Sequence, residues 1–379
     1  MRGAVGFGVF SVGEDAPRVG FRVAEGVLDL AAAGLGTVFE APTLNPFLAL
    51  GRSSWEDTLA RVDELVSGGA DLVSLEAADE HLPFEVADYV DFYSSLEHAT
   101  NLGRLFRPDA EALLPNWRHL PVGYHGRAGT VVVSGTPVVR PSGQTKVPSD
   151  DASRFGPSRR LDIELELGFV VGVGSPLGEP VSASAFRDHV FGVALVNDWS
   201  ARDIQAWEYV PLGPFLGKSF ATSIAAWVTP LALLEDRFVP APEQDPPPLP
   251  YLRTEGDWAL DIGLEVELSG TVVSRTNARG LYWTMPQQLA HATVNGASIR
   301  TGDLFASGTI SGAEPGSEGS LIELAWNGER PVRLDDGTER TFLEDGDEVV
   351  LRGRAGEIEL AEVRGTILPA RQAGKAPAR

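Results

Sequence analysis

The chain has 379 residues, 43% of them hydrophobic and 22% charged, the balance of a packed protein with more than one folding unit and not of a disordered or membrane-spanning chain. Acidic residues outnumber basic ones 53 to 31 and leave a net charge of −22, a field that repels phosphate backbones and anionic membranes and so argues against nucleic-acid and membrane partners. Cysteine is absent, which excludes disulfides, thiolate nucleophiles and sulfur-ligated metals and leaves oxygen and imidazole as metal ligands.

The start, Met1-Arg2-Gly3-Ala4-Val5, carries no apolar segment with a cleavage site, and no run of about 18 apolar residues follows, so a cytoplasmic protein is expected. The 42 glycines and 27 prolines fall as punctuation between short Val, Ile, Leu and Phe runs, which predicts a mainly β (α+β) chain. From Val5 to about Leu30 short apolar runs alternate with Gly and charge, as in a small β-meander. Ser53 with Glu56 then forms a capping-box pattern ahead of Trp55, Leu59, Val62 and Leu65 at helical spacing. An acidic stretch near Asp79 to Ala87 marks the expected boundary between an N-terminal domain, residues 1–85, and a larger one, residues 86–379.

Beyond that boundary three segments concentrate polar and aromatic groups. The first is Asp91-Phe92-Tyr93-Ser94-Ser95, leading to His98, Asn101-Leu102-Gly103 and Arg107. Only six histidines exist, so candidates for a base near neutral pH are few. In the second, Leu161-Asp162-Ile163-Glu164-Leu165-Glu166-Leu167, alternation puts three apolar side chains on one face and three carboxylates on the other. That pattern reads either as a solvated strand face or as Glu164 and Glu166 reaching one hard divalent ion. The third runs from Val196-Asn197-Asp198 through Arg202 and Gln205 to Tyr209 and Gly217-Lys218-Ser219. Here Asp198 reads as a helix N-cap with Arg202 one turn on as its surface partner, or as part of a site.

Six prolines between Val239 and Pro250 predict an extended surface loop, and the polar, basic tail after Leu368 is expected to fray. An acidic protein that binds an anionic metabolite needs a local cluster of Arg, Lys or metal to overcome its own field.

Taken together, these segments are similar in order and wording to the fumarylacetoacetate hydrolase family from Asp91 onward. Further matching strings are Leu114-Pro115-Asn116-Trp117, His119 to Arg127, Val133-Ser134-Gly135-Thr136-Pro137, Tyr282-Trp283-Thr284-Met285 and Ser307-Gly308-Thr309-Ile310-Ser311-Gly312. The resemblance thins before about residue 85. It implies a small N-terminal SH3-like β-barrel followed by a large mixed β-roll, and a homodimer.

The same resemblance implies Ca2+ or Mg2+ held by Asp91, Glu164, Glu166 and Asp198, with Lys218 and Thr222 as secondary contacts. Substrate contacts fall on Tyr93, Arg107, Tyr124, Gln205, Tyr209 and Thr309. His98 is implied as the general base, oriented by Glu323, a pairing that spacing cannot show, since Glu323 reads only as one polar residue in an apolar strand. Arg202, Gln205 and Lys218 are the implied alkoxide stabilisers. The implied reaction is hydrolysis of a carbon–carbon bond in a small anionic diketo acid, 4-fumarylacetoacetate, to fumarate and acetoacetate in tyrosine and phenylalanine breakdown. The alternative is a related diketo-acid hydrolase, decarboxylase or isomerase on the same frame.

Overall fold

The structure, a computed structural model, describes residues 3–371 apart from 148 and 150. It is mostly β with a few short helices, and its centre is an open sheet. The main path runs Gly26–Asp29, Arg18–Val23, Ala4–Ser11, Trp227–Pro230, Val190–Asn197, Leu165–Val171, Leu304–Ala306, Tyr89–Phe92 and Gly123–His125. Thr222–Ile224 branches from Val190–Asn197 and pairs in parallel with Val131–Val133. A second sheet joins Thr271–Asn277, Gly263–Leu268, Glu348–Ala355, Ile358–Leu368 and Val138–Val139.

The N-terminal meander is present, but its first strand pairs directly with Trp227–Pro230. The segment 1–85 thus extends the central sheet, and among the described residues no closed barrel is found. The helix read around Trp55 spans Arg52–Ser67 and buries Trp55 and Val62. Its N-cap is Gly51 with no side-chain cap, so the expected Ser53–Glu56 capping box does not form; Ser53 already lies one residue inside the helix.

The central strands are buried on both faces. Every residue of Leu165–Val171 and of Val190–Asn197 is buried, as expected of strands covered on both sides. Two apolar cores form on opposite faces. One gathers Leu165, Leu167, Phe169, Val193, Leu195, Phe92 and Phe305 together with Val266, Leu351 and Val363 of the second sheet. The other gathers Val170, Val196, Ile224, Leu304, Ala306 and Tyr89 with Phe7, Phe21, Phe47 and Trp55. This division decides where charge goes, because Glu166 between Leu165 and Leu167, and Asp91 between Val90 and Phe92, must point to the second face. No helix among the described residues is long and apolar enough to cross a membrane.

Candidate active site

Neighbouring strands set the carboxylates side by side. Asp91 pairs with Tyr124 on one side and Ala306 on the other, Glu166 pairs with Val196, and Asp198 follows Asn197 at the end of its strand. The alternating strand breaks at Ile163-Glu164, between Leu161–Asp162 and Leu165–Val171. Asp91, Glu164, Glu166 and Asp198 are all buried, and each offers an oxygen within 4.8 Å of the others. The solvated-face reading is therefore overturned: Asp162 and Glu166 are 0% exposed and Glu164 is 4% exposed.

Two cations answer this charge in part. Lys218 Nζ donates to Asp198 Oδ2 at 2.6 Å and also bonds Glu164. Arg202 Nε donates to Asp162 Oδ2 at 2.7 Å, while its Nη2 lies 2.7 Å from Glu164 Oε1. Asp198 is not a helix cap and Arg202 is not its surface partner; the helix Arg202–Glu208 starts after Ala201, and Arg202 is turned inward. Thr222 Oγ1 donates to Asp198 Oδ1 at 2.8 Å, and the Tyr124 hydroxyl donates to Asp198 Oδ2 at 3.0 Å. The Gly308 amide donates to Glu166 Oε2 at 3.1 Å. Gly308 has φ +75°, and a Cβ there would fall 2.2 Å from the Phe92 carbonyl oxygen, so only glycine brings the loop this close.

The carboxylates differ in their electrostatics. Burial would raise Glu164, but Lys218 and Arg202 outweigh it and bring the group down to about 2. Burial lifts Asp91 and Glu166 well above the carboxylate range, and the charge of Asp198 on the first and of Asp91 on the second pushes the same way. Asp91 Oδ1 and Glu166 Oε1 are buried with no hydrogen-bond partner. A pocket of four buried carboxylates with two unsatisfied oxygens fits a hard divalent cation, whose ligands are oxygens. Asp91, Glu164, Glu166 and Asp198 are the residues that could hold it.

Beside this pocket stands a second unit. The helix Leu96–Phe106 is capped by Ser95, whose hydroxyl accepts from the His98 amide, and it buries His98 and Ala99. His98 Nδ1 lies 2.6 Å from Glu323 Oε2. Glu323 sits on a short helix, Leu321–Leu324, and not on a strand. Its oxygens also accept from Ser320 at 2.6 Å, Ser311 at 2.9 Å and Asn101 at 3.0 Å. Burial alone would raise Glu323; His98 and the hydroxyl and amide donors hold it below the usual range.

Tyr93 joins the two units. Its ring stands edge-on to His98, with centroids 5.3 Å apart, and its hydroxyl is pushed up first by burial and then by Glu323 and Glu164. Gln205 Oε1 accepts from Arg202 Nη1 at 3.2 Å. Thr309 Oγ1 and Arg107 Nε are buried without partners, while Arg107 Nη2 donates to the Ala112 carbonyl at 2.7 Å. Tyr209 stands apart at the end of its helix, 47% exposed, with no side-chain hydrogen bond among the described residues.

Sequence reasoning passed over Asp162. It pairs with Arg202 and accepts from the amides of Leu321 at 2.8 Å and Ile322 at 3.3 Å, so one carboxylate ties the cation of one unit to the helix bearing Glu323 of the other. The alternation at 161–167 already carried this signal. Asn101, one helical turn after His98, carried a weaker one.

Fold and site together define a mainly β protein with a buried, all-carboxylate cation pocket beside a histidine–glutamate pair. Residues 88–367 match the family described as "Fumarylacetoacetate (FAA) hydrolase C-terminal", and residues 5–89 match "Fumarylacetoacetase N-terminal". The chain belongs to the fumarylacetoacetate hydrolase family. It is 47% identical to the fumarylacetoacetase of Rattus norvegicus and 46% identical to that of Homo sapiens, in each case over 96% of this chain and 95% of the relative. A solved fumarylacetoacetate hydrolase from psychrophilic Exiguobacterium antarcticum shares the fold, with TM-score 0.56 and 15% identity, covering 97% of this chain and 99% of that one.

Proposed function

We propose that this chain hydrolyses 4-fumarylacetoacetate to fumarate and acetoacetate. The observation that carries the reading is one buried site holding both the His98–Glu323 pair and the four-carboxylate pocket, in a chain nearly half identical over almost its whole length to curated fumarylacetoacetases.

Glu323 is held in its ionised form, so it accepts from His98 Nδ1–H and leaves Nε2 as the basic nitrogen. His98 Nε2 takes a proton from water as the water oxygen bonds to the carbonyl carbon on the fumaryl side. This positioned base is worth about 10²–10⁴-fold in rate. Arg202, Gln205 and Lys218 donate to the alkoxide that forms. When the carbon–carbon bond breaks, its electron pair leaves on the acetoacetate fragment and a proton returns to carbon. Asp91, Glu164, Glu166 and Asp198, with Lys218 and Thr222 close by, would hold a Ca2+ or Mg2+ ion, which when bound would supply stabilisation of the negative charge on that fragment. Tyr93, Tyr124 and Thr309 orient the diketo acid, and Arg107 binds a carboxylate through parallel hydrogen bonds. Tyr209, at the rim, supplies a further substrate contact.

We further infer a homodimer, supported by the exposed apolar run beyond Tyr209: Val210, Leu212 and Phe215 are 65%, 96% and 63% exposed. A cytoplasmic location agrees with a chain that has no cysteine.

The test is the ultraviolet absorbance of fumarylacetoacetate mixed with the purified chain, with and without chelator and with His98→Ala alongside, and with products identified. Cation-dependent loss of absorbance with release of fumarate and acetoacetate is expected, reduced at least about 10²-fold in the variant. No loss with cation-loaded protein refutes the reading and favours another diketo acid.

A further inference from the structure

Tyr89 is used by none of the steps above, yet its surroundings are unusual. It is 1% exposed, and its hydroxyl is buried with no hydrogen-bond partner. Buried hydroxyls are normally satisfied, because one left unpaired has given up its hydrogen bonds to water with nothing in return. An orphan hydroxyl therefore asks for a missing partner.

Strand geometry says where that partner lies. Tyr89 and Asp91 are two residues apart on one strand and share a face, while Val90 and Phe92 turn to the opposite core. Tyr89 pairs with Leu304 as Asp91 pairs with Ala306, and all four residues face the side that carries Glu166. The ring is held by a cut in the neighbouring chain: a Cβ on Gly126 would fall 2.2 Å from Tyr89 Cδ1 and 2.5 Å from Cε1. The Gly126 amide donates to the Tyr89 carbonyl at 2.9 Å, which locks the glycine against that ring.

Four carboxylates do not complete the shell of a hard cation, which takes about six to eight oxygens, some of them water. Groups that hydrogen-bond such ligands from behind fix their orientation and typically change affinity by about 10–100-fold. We propose that Tyr89 is a positioning residue of the divalent-cation site, its phenol hydrogen-bonding an oxygen of the ion's coordination sphere. The inference rests on the cation reading given above.

The experiment is calorimetric titration of Mg2+ and of Ca2+ into the chelator-stripped full chain, for wild type, Tyr89→Phe, Asp91→Asn and Phe84→Leu, with the melting temperature of each cation-free protein. Tyr89→Phe removes one oxygen and leaves the ring in its Gly126 seat. Its cation affinity should fall about 10–100-fold while its cation-free melting temperature holds or rises. Phe84→Leu, in the same apolar core, should lower the melting temperature and leave the affinity unchanged. Equal affinity in wild type and Tyr89→Phe overturns the inference and leaves the cation site standing. A Tyr89→Phe protein that melts earlier without cation also overturns it, assigning the hydroxyl to the fold. If wild type and Asp91→Asn both fail to bind either ion, the cation reading itself falls and takes this inference with it.

Discussion

Glu323 and the pair Asp91–Glu166 are equally buried acids in one site, and they are shifted in opposite directions. Glu323 accepts from His98, Ser320, Ser311 and Asn101, and lies below the usual carboxylate range. Asp91 and Glu166 each leave an oxygen unpartnered, and burial with nearby like charge drives both well above it. Burial is common to both, so the supply of partners makes the difference. The protein completes one carboxylate with its own donors and leaves an oxygen of each of the others open. The first arrangement suits a group that orients a base permanently, and the second suits a cation pocket.

The comparison breaks first where the bound partner is removed. Asp91→Asn should cut turnover of fumarylacetoacetate by more than about 10³-fold, the equivalent of roughly 4 kcal/mol of charge stabilisation. It should also abolish any rise in melting temperature on adding Mg2+ or Ca2+. Full activity in this variant would unseat the cation pocket. On the other side, Glu323→Gln keeps the shape but offers His98 an amide in place of a carboxylate, so turnover should fall on the order of 10²–10³-fold. Cation affinity measured by calorimetry should stay at the wild-type value, which separates the two units.

Asp162→Asn tests the link between them. It leaves buried Arg202 with one carboxylate fewer, and chemical denaturation should show a loss of roughly 3 kcal/mol. The smallest effect belongs to an intermediate case, Asp303. One of its oxygens accepts from the Arg300 amide at 2.8 Å and the other, 3.6 Å from Arg300 Nε, is buried with no hydrogen-bond partner, and burial pushes the group to about 6. Its folded value lies above the unfolded one, so its charge costs stability above about pH 6, and that cost is relieved as pH falls towards about 4. Asp303→Asn should therefore stabilise the protein by roughly 1–2 kcal/mol at pH 7 and flatten the stability profile between those limits, as read by urea unfolding at each pH.

Much of the site was legible in the chain because its signals are local. Alternation at Leu161–Leu167 places three carboxylates on one face through a period of two, whatever the rest of the fold does. The absence of cysteine left a hard cation as the natural partner, and resemblance along Asp91, His98, Asp198 and Lys218 supplied the roles expected of them. The same local reasoning erred where packing decides. Ser53 reads as a cap, yet the helix is entered two residues earlier, from Gly51. Asp198 and Arg202 read as a surface pair, yet both are buried with other partners.

What sequence by itself determined is which residue types are available, how they alternate and that the chain is mainly β. Tertiary structure alone decided whether the carboxylate face met solvent or protein, because that depends on which strands flank it. It alone joined His98 to Glu323 across 225 positions, turned Asp162 into the tie between Arg202 and the Glu323 helix, and added the N-terminal strands to the central sheet. Periodicity is written in neighbours along the chain, whereas burial and partnership are set by neighbours in space.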